Sequence, residues 1–189
     1  MRIIGGTARG LKLAEVGEGD AGAHLRPTSD RVREAIFNLL INSLGVPLDG
    51  ARVLDLFAGT GALGLEALSR GAAHVTFVDD GVAARALLRQ NIEKMRAMGV
   101  TKLYRRNATE LGVNHGAGFS LVFLDPPYGK GLGQAALASA RAGGWLAPGA
   151  TVVWEEAAPQ LPPPGFTLLD QRRYGETVIT FTKHETQDA

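Results

Sequence analysis

The chain has 189 residues, 45% of them hydrophobic and 21% charged, which is the make-up of one globular domain able to bury a core without staples. It has no cysteine, which excludes disulfides, cysteine nucleophiles and zinc–thiolate sites; His24, His74, His115 and His184 show no ligand-like spacing, so no metal is expected. The formal net charge of +1 is small for a protein that coats nucleic acid indiscriminately, no stretch reaches the ~20 apolar residues of a membrane span, and the opening MRIIGGTARGLKL is too interrupted for a signal peptide, so a cytoplasmic monomer is expected.

The basic residues are unevenly spread. Arg2, Arg9 and Lys12 precede any acid, and Arg26, Arg31 and Arg33 follow soon after. Residues 1–25 read as a short strand or hairpin and then a Gly-rich, polar, mobile loop from Glu15 to Leu25. Residues 26–183 read as the main domain and 184–189 as a polar, frayed tail. After RPTSD, Val32, Ala35, Ile36, Leu39 and Leu40 recur at helical spacing, with Ser29 or Asp30 placed as N-cap.

Strands and helices then alternate. Arg52 to Phe57 reads as a strand. Ala62 to Arg70 reads as a helix stopped by Gly71, and Val75 to Val78 as a strand. Val82 to Met98 reads as a helix ended by Gly99, with Ala83, Ala86, Leu87, Ile92 and Met95 on its inner face. Lys102 to Arg105 is a weak strand, Phe119 to Leu124 a strongly apolar one, Leu132 to Ala142 a helix and Thr151 to Trp154 a strand. This order predicts a parallel sheet covered on both faces. Thr167 to Arg173 and Thr177 to Thr182, joined at Tyr174-Gly175-Glu176, predict a terminal antiparallel hairpin.

The strand VLDLF runs into AGTGALG, in which Gly59, Gly61 and Gly64 fit G-x-G-x-x-G between a strand and a helix. Such a turn can bring backbone and helix N–H groups close to a ligand, although a plain βα turn has the same spacing. Asp79 ends the next strand about 20 residues on, where an acid can accept from ribose hydroxyls; Asp80 beside it is the alternative. Asp55 is an acid inside an apolar strand, where a carboxylate is costly unless paired. It suits a ligand with an ammonium group, such as the methionine end of S-adenosylmethionine, and it also suits capping of the loop backbone.

The strand SLVFL delivers Asp125-Pro126-Pro127-Tyr128. Two prolines stiffen the backbone and remove two donors, leaving the Asp125 carboxylate and the Pro126 carbonyl as acceptors beside an aromatic ring. An exocyclic amine of guanine or adenine is a poor nucleophile, because its lone pair is delocalised into the ring. Two acceptors on its two N–H bonds can draw the nitrogen towards a tetrahedral shape and aim the lone pair, so catalysis there is positioning and electrostatics. Tyr128 is placed to stack on a base flipped out of its helix, offsetting the cost of unstacking.

VLDLFAGTGALGLEALSRGA, FVD and DPPY together resemble class I, Rossmann-type methyltransferases. RIIGGTARGLKL, RPTSDRVREAIFNLL and the late YGET resemble, more narrowly, the RsmD-type 16S ribosomal RNA (guanine-N2)-methyltransferases. The resemblance covers nearly the whole chain. It implies an α/β fold: a Rossmann-like seven-stranded, mostly parallel sheet with a terminal antiparallel hairpin, helices on both faces and a small N-terminal extension. It implies S-adenosylmethionine as methyl donor and a guanine of small-subunit ribosomal RNA as acceptor, presented within the ribosomal particle. By resemblance, Asp55, Gly59 and Gly61 fall at the methionine side of the cofactor, Asp79 at the ribose and Asn107-Ala108 at the adenine edge. The family commonly has Asp where this chain has Asn107. Asp125, Pro126 and Tyr128 fall at the target base, and Arg26, Thr28 and Arg33 lie in a segment that closes over cofactor and RNA. Arg9 and Lys12 are candidates for the RNA surface. A DNA adenine-N6 methyltransferase, an NAD-dependent oxidoreductase and a non-catalytic RNA-binding module are the competing readings. The first lacks a separate target-recognition domain here, and the second leaves Asp55 and DPPY without a purpose.

Overall fold

In a computed structural model the chain is described over residues 1–15 and 28–186. The expected loop beyond Glu15, and Arg26 with it, lie outside these residues. The elements run α1 (Asp30–Asn38), β1 (Arg52–Leu56), α2 (Ala62–Ser69), β2 (His74–Val78), α3 (Val82–Lys94), β3 (Thr101–Tyr104), β4 (Phe119–Leu124), α4 (Leu132–Ala142), β5 (Leu146–Glu156), β6 (Phe166–Tyr174) and β7 (Thr177–His184). The seven strands form one sheet in the order β3-β2-β1-β4-β5-β7-β6. Strands β1 to β5 are parallel, while β7 pairs antiparallel with both β5 and β6. The mostly parallel sheet with a terminal hairpin is therefore as the sequence predicts.

Both faces of the sheet are buried, with the period of two that a pleated strand imposes. Val53, Val75, Phe77, Leu121 and Phe123 pack on one face with Ile36, Phe37, Leu65, Leu88 and Ile92 from α1, α2 and α3. Leu54, Leu56, Val78, Val122 and Leu124 pack on the other with Ala136, Leu137 and Ala140 from α4. Ser29 caps α1, its hydroxyl accepting from the Val32 N–H at 3.3 Å.

Three differences from the sequence reading have local causes. First, α3 stops at Lys94 rather than Met98. The Arg96 N–H bonds the Glu93 carbonyl and the Ala97 N–H the Ile92 carbonyl, with Arg96 at φ +54°. This is a Schellman closure with arginine where glycine is usual, and so it carries no glycine signal. At the end of α2 the same closure uses Gly71, at φ +112°, and there the sequence marked it. Second, the inner face of α3 is Ala84, Arg85, Leu88, Asn91 and Ile92, not the set centred on Ala83, Ala86 and Leu87. Two buried polar side chains set that rotation: Arg85 bonds the Asp80 carbonyl, and Asn91 bonds the Thr60 carbonyl and both backbone groups of Ala14. Third, β5 begins at Leu146 through a register irregularity opposite Phe119 and Leu121, and β7 runs one residue into the expected tail because His184 pairs with Phe166.

The N-terminal extension is a hairpin closed by an antiparallel bridge between Arg2 and Lys12. It is clamped to α2. The fully buried Glu66 carboxylate accepts from the Ile4 and Gly5 N–H groups, each at 2.8 Å, and from Arg70 Nε at 2.8 Å. The Ser69 hydroxyl accepts from the Ala8 N–H and donates to the Gly5 carbonyl. Glu66→Ala strips acceptors from two backbone donors and one arginine, a loss of about 3 kcal/mol for a broken buried pair. The expected fall in Tm is roughly 6–12 °C for a domain of this length, read by circular dichroism. An unchanged Tm would mean that the hairpin is not held through Glu66.

Candidate active site

The strand order reverses direction between β1 and β4, and open α/β sheets bind ligands beyond the carboxyl ends of the strands at such a point. The glycine loop leaves β1 there and Asp125-Pro126-Pro127-Tyr128 leaves β4. The Asp125 N–H bonds the Leu56 carbonyl at 3.4 Å, which sets the two loops side by side.

The loop turns through positive φ at Phe57 (+56°), Gly59 (+55°) and Gly61 (+78°). A bulky residue in the left-handed region is strained and bends the chain sharply at the end of β1, a feature that sequence reasoning missed. The glycines divide their work. A Cβ on Gly61 would stand 2.2 Å from Leu88 Cδ1, and one on Gly64 would stand 2.5 Å from Phe77 Cε1. At these two positions a side chain would strike the chain's own core.

Asp55 lies beneath the loop and is 2% exposed. One carboxyl oxygen, Oδ2, accepts from the Gly64 N–H at 3.0 Å, and Oδ1 has no hydrogen bond among the described residues. Burial raises its pKa to about 8, the Gly64 bond pulls the other way, and nearby Asp79 adds to the rise. So Asp55 does cap the loop, and it keeps one oxygen for another donor. Asp79 accepts from the Gly59 N–H through Oδ2 and from the Gly81 N–H through Oδ1, both at 2.8 Å. It thereby joins the glycine loop to the end of β2. Burial lifts its pKa against the pull of those two bonds. Asp80 is exposed.

Asp125 is half-buried, and its carboxyl group has no hydrogen bond among the described residues. Burial, reinforced by the negative charges of Glu155, Asp55 and Glu156, holds its pKa well above the usual carboxylate range. Pro126 is buried and Pro127 exposed. The Tyr128 hydroxyl donates to Glu155 Oε1 at 2.7 Å and lies 3.2 Å from Thr177 Oγ1. The other Glu155 oxygen accepts from the Thr28 hydroxyl at 2.7 Å. Glu156 Oε1 accepts from the Gly129 N–H at 3.0 Å, fixing the backbone just after Tyr128. Burial raises the Tyr128 pKa, with Glu155 adding to the rise, so its hydroxyl stays a donor. Glu155 and Glu156 were not singled out in the sequence. Their signal was there: two acids ending the apolar run VVW, as Asp55 interrupts VLDLF.

The remaining candidates are spread around this centre. Asn107 is exposed, and its Oδ1 accepts from both the N–H (2.9 Å) and the hydroxyl (2.8 Å) of Thr109. That oxygen is engaged locally, which leaves the Asn107 NH2 and the neighbouring backbone for a ligand. The Ala108 side chain is in the core. Thr28 is 9% exposed and sits beside Tyr128 through Glu155. Arg33, expected to face RNA, is instead fully buried. Its Nη2 bonds the Arg2 carbonyl and Asp30 Oδ1, so it ties α1 to the hairpin, and burial lowers its pKa. Arg9 and Lys12 are exposed on that same hairpin. Beside Tyr128 the surface holds a cavity of about 230 Å³. A larger hollow of about 790 Å³ lies by Leu146, Phe166 and His184, at the opposite end of the parallel strands and away from every group named above. Among the described residues no cluster of His, Asp and Glu could hold a metal ion, and no helix is long and apolar enough to cross a membrane.

The comparisons with known proteins agree with this geometry. A family model described as "Conserved hypothetical protein 95" matches residues 1–183. Ribosomal RNA small subunit methyltransferase D of Escherichia coli (strain K12) is 38% identical, over 99% of this chain and 91% of its own length. The protein of the same name from Haemophilus influenzae is 33% identical, over 93% and 89%. A solved structure, "Putative methyltransferase yhhF from Escherichia coli", superposes with a TM-score of 0.83 at 36% identity, with 99% of each chain covered. The methyltransferase topology, the two adjoining loops and a match that runs the length of the chain place it together: it belongs to the ribosomal RNA small subunit methyltransferase D family.

Proposed function

We propose that this chain transfers a methyl group from S-adenosylmethionine to the exocyclic N2 amine of a guanine in small-subunit ribosomal RNA, acting as a cytoplasmic monomer. The observation that carries this reading is the adjacency of Asp55, near the end of β1, and Asp125, just beyond the end of the neighbouring parallel strand β4, at the switch point of the sheet. The names of the relatives supply the RNA.

The residues fit the donor. Asp55 Oδ1 is an acceptor without a hydrogen-bond partner among the described residues, suited to the ammonium of a methionine moiety, and Asp79 between two loop N–H groups is suited to ribose hydroxyls. Gly59 and the backbone at Asn107-Ala108 would complete the cradle. When bound, S-adenosylmethionine supplies an electrophilic methyl group. The chain's own work is to aim the acceptor. The Asp125 carboxylate and the Pro126 carbonyl accept the two N–H bonds of the amine, which localises the nitrogen lone pair. Asp125 can take up the proton that the nitrogen sheds once it carries the methyl. Tyr128, anchored by Glu155 and Thr177, offers its ring to the base.

The test is transfer of labelled methyl to undermethylated small ribosomal subunits, followed by nucleoside analysis of the digested RNA. Labelled N2-methylguanosine establishes donor, reaction and target class together. Label only in N6-methyladenosine would keep the donor and remove the guanine, and activity on duplex DNA alone would turn the reading towards a DNA enzyme.

The exposed Arg9 and Lys12 are assigned to RNA phosphates. Arg9→Ala with Lys12→Ala should weaken RNA binding at every sequence and flatten the slope of log K against log salt by about 1.5. A slope equal to that of the wild type would take the hairpin off the RNA surface.

A further inference from the structure

Arg85 does more than set the rotation of α3. It is the fourth residue of that helix, near the end where the dipole disfavours a cation, and it is 6% exposed. Its hydrogen-bond partners among the described residues are the carbonyls of Asp79 and Asp80, both reached by Nη1. Its Nε is buried with none. A buried guanidinium that meets only backbone and leaves a donor unpaired is a costly way to fill a core, so stability alone does not account for it. We propose that Arg85 is the positioning residue for the donor's ribose: by holding the Asp80–Gly81 peptide, it aims the Asp79 oxygen that receives a ribose hydroxyl.

The link runs through one peptide plane. The Asp80 carbonyl and the Gly81 N–H belong to the same planar group. Arg85 Nη1 donates to that carbonyl and lies 3.4 Å from the Asp79 carbonyl one residue earlier. The N–H of the group donates to Asp79 Oδ1 at 2.8 Å. A rotation of the plane that breaks one of these bonds swings the other. A donor on the carbonyl also polarises the peptide and strengthens its N–H. The approach is close, since a Cβ on Gly81 would stand 3.1 Å from Asp79 Oδ1. The Arg85 N–H bonds the Gly81 carbonyl at 3.1 Å, so backbone and side chain of Arg85 both grip the turn from Asp79 to Gly81.

A carboxylate offers about four acceptor sites on two oxygens. Asp79 spends one on the Gly59 N–H through Oδ2 and one on the Gly81 N–H through Oδ1. Each oxygen keeps a site, which matches the neighbouring 2′ and 3′ hydroxyls of a ribose. A two-point contact of this kind needs the plane of the carboxylate fixed. The glycine loop fixes one oxygen, and Arg85 fixes the other through Gly81. Burial raises the Asp79 pKa, and Asp80 adds to the rise; the Arg85 charge works with the two N–H bonds to bring it down. That favours the ionised acceptor, to which hydroxyls bond more strongly.

The inference rests on the methyl-transfer reading above, and its test separates the two. The probe is 5′-methylthioadenosine, which keeps the adenine and ribose of the donor and lacks its ammonium, so Asp55 takes no part. Its dissociation constant is compared by calorimetry, without RNA, with that of its 2′,3′-dideoxy form. The wild type should prefer the hydroxylated ligand by about tenfold or more, the scale of a hydrogen bond to a charged group. Arg85→Met keeps the length of the side chain and should lose that preference: methylthioadenosine weakens by about tenfold, while the dideoxy form binds within about twofold of the wild type. Arg85→Lys can still donate to the Asp80 carbonyl and should keep the preference. An undiminished preference in Arg85→Met would overturn the inference, and so would equal weakening of both ligands, which marks a residue of the scaffold alone. Loss of the preference in Arg85→Lys would overturn it as well, and decides the matter if the methionine variant does not fold. A wild type that binds both forms equally well would take Asp79 from the ribose and overturn the inference while methyl transfer stands. A wild type that binds neither S-adenosylmethionine nor methylthioadenosine would remove both readings.

Discussion

Asp125→Asn is expected to make the protein melt at a higher temperature while slowing methyl transfer by about 10²–10³-fold. Both effects come from the same strain. The Asp125 carboxyl group is largely withdrawn from water, has no hydrogen-bond partner among the described residues and stands beside the acids Glu155, Asp55 and Glu156. Its folded pKa is therefore raised above the unfolded value. A group shifted in that direction contributes stability that is fully present below the unfolded pKa and lost as pH rises through the folded pKa. Removing the charge removes that loss. The gain in Tm should thus be small near pH 5, grow towards pH 8 and reach a few degrees. Asparagine keeps an acceptor oxygen in the same place but gives up the charge assistance that roughly doubles a hydrogen bond to an amine. The wild-type rate should fall with acidification at a higher pH than an ordinary aspartate would give, because the proton that neutralises Asp125 also removes the acceptor. Melting curves at several pH values and single-turnover rates decide the matter. A Tm difference independent of pH would show that Asp125 is not strained by its neighbours. A rate equal to that of the wild type would take Asp125 out of the reaction. A proportionate loss of donor binding would move it to the cofactor.

The same physics explains what could be read in the sequence. The strands, α2 and α4 were legible because apolar periodicity and a glycine at the helix end report burial and closure directly. The end of α3 was hidden because Arg96, not a glycine, takes the left-handed position. Its inner face was misplaced because Arg85 and Asn91 are buried for their hydrogen bonds, which a hydrophobic pattern counts as surface. Arg33 failed for the same reason: a cation near the N-terminus reads as surface until Arg2 and Asp30 are seen to enclose it. At the site, Asp55 and Asp125 stood out because an acid in or at the end of an apolar strand is costly to bury unless something pairs with it. Glu155 and Glu156 obey that rule equally, but Glu155 acts on Tyr128, 27 residues away in the chain, and on Thr28, 127 away, and Glu156 acts on Gly129, 27 away. Contacts at such separations leave no local pattern. Gly61 and Gly64 were visible as a motif, but that a Cβ there would strike Leu88 and Phe77 depends on how α3 and β2 pack and leaves no local pattern.

Binding of S-adenosylmethionine should release a proton at pH 6.5, and Asp55→Asn should abolish that release while weakening binding by about 10²–10³-fold, as for a buried charge pair that loses one partner. Without ligand, burial keeps the Asp55 pKa at about 8, so near neutrality the group is mostly protonated. An α-amino group titrates at about 7.7–8.0, so at pH 6.5 the ligand arrives as ammonium and the carboxyl must ionise to meet it. The proton goes to the buffer. Affinity should then tighten with pH, by up to about tenfold per unit, until either group reaches its own pKa. Titration calorimetry in two buffers of different ionisation enthalpy reads the release directly. Asparagine is the informative substitution because its amide oxygen can still accept from the Gly64 N–H, keeping the loop cap while removing the charge. The variant's melting temperature without ligand should therefore not fall. If the wild type binds the donor with no proton exchange at pH 6.5, Asp55 stays neutral in the complex and serves the glycine loop alone, and the ammonium must be held elsewhere.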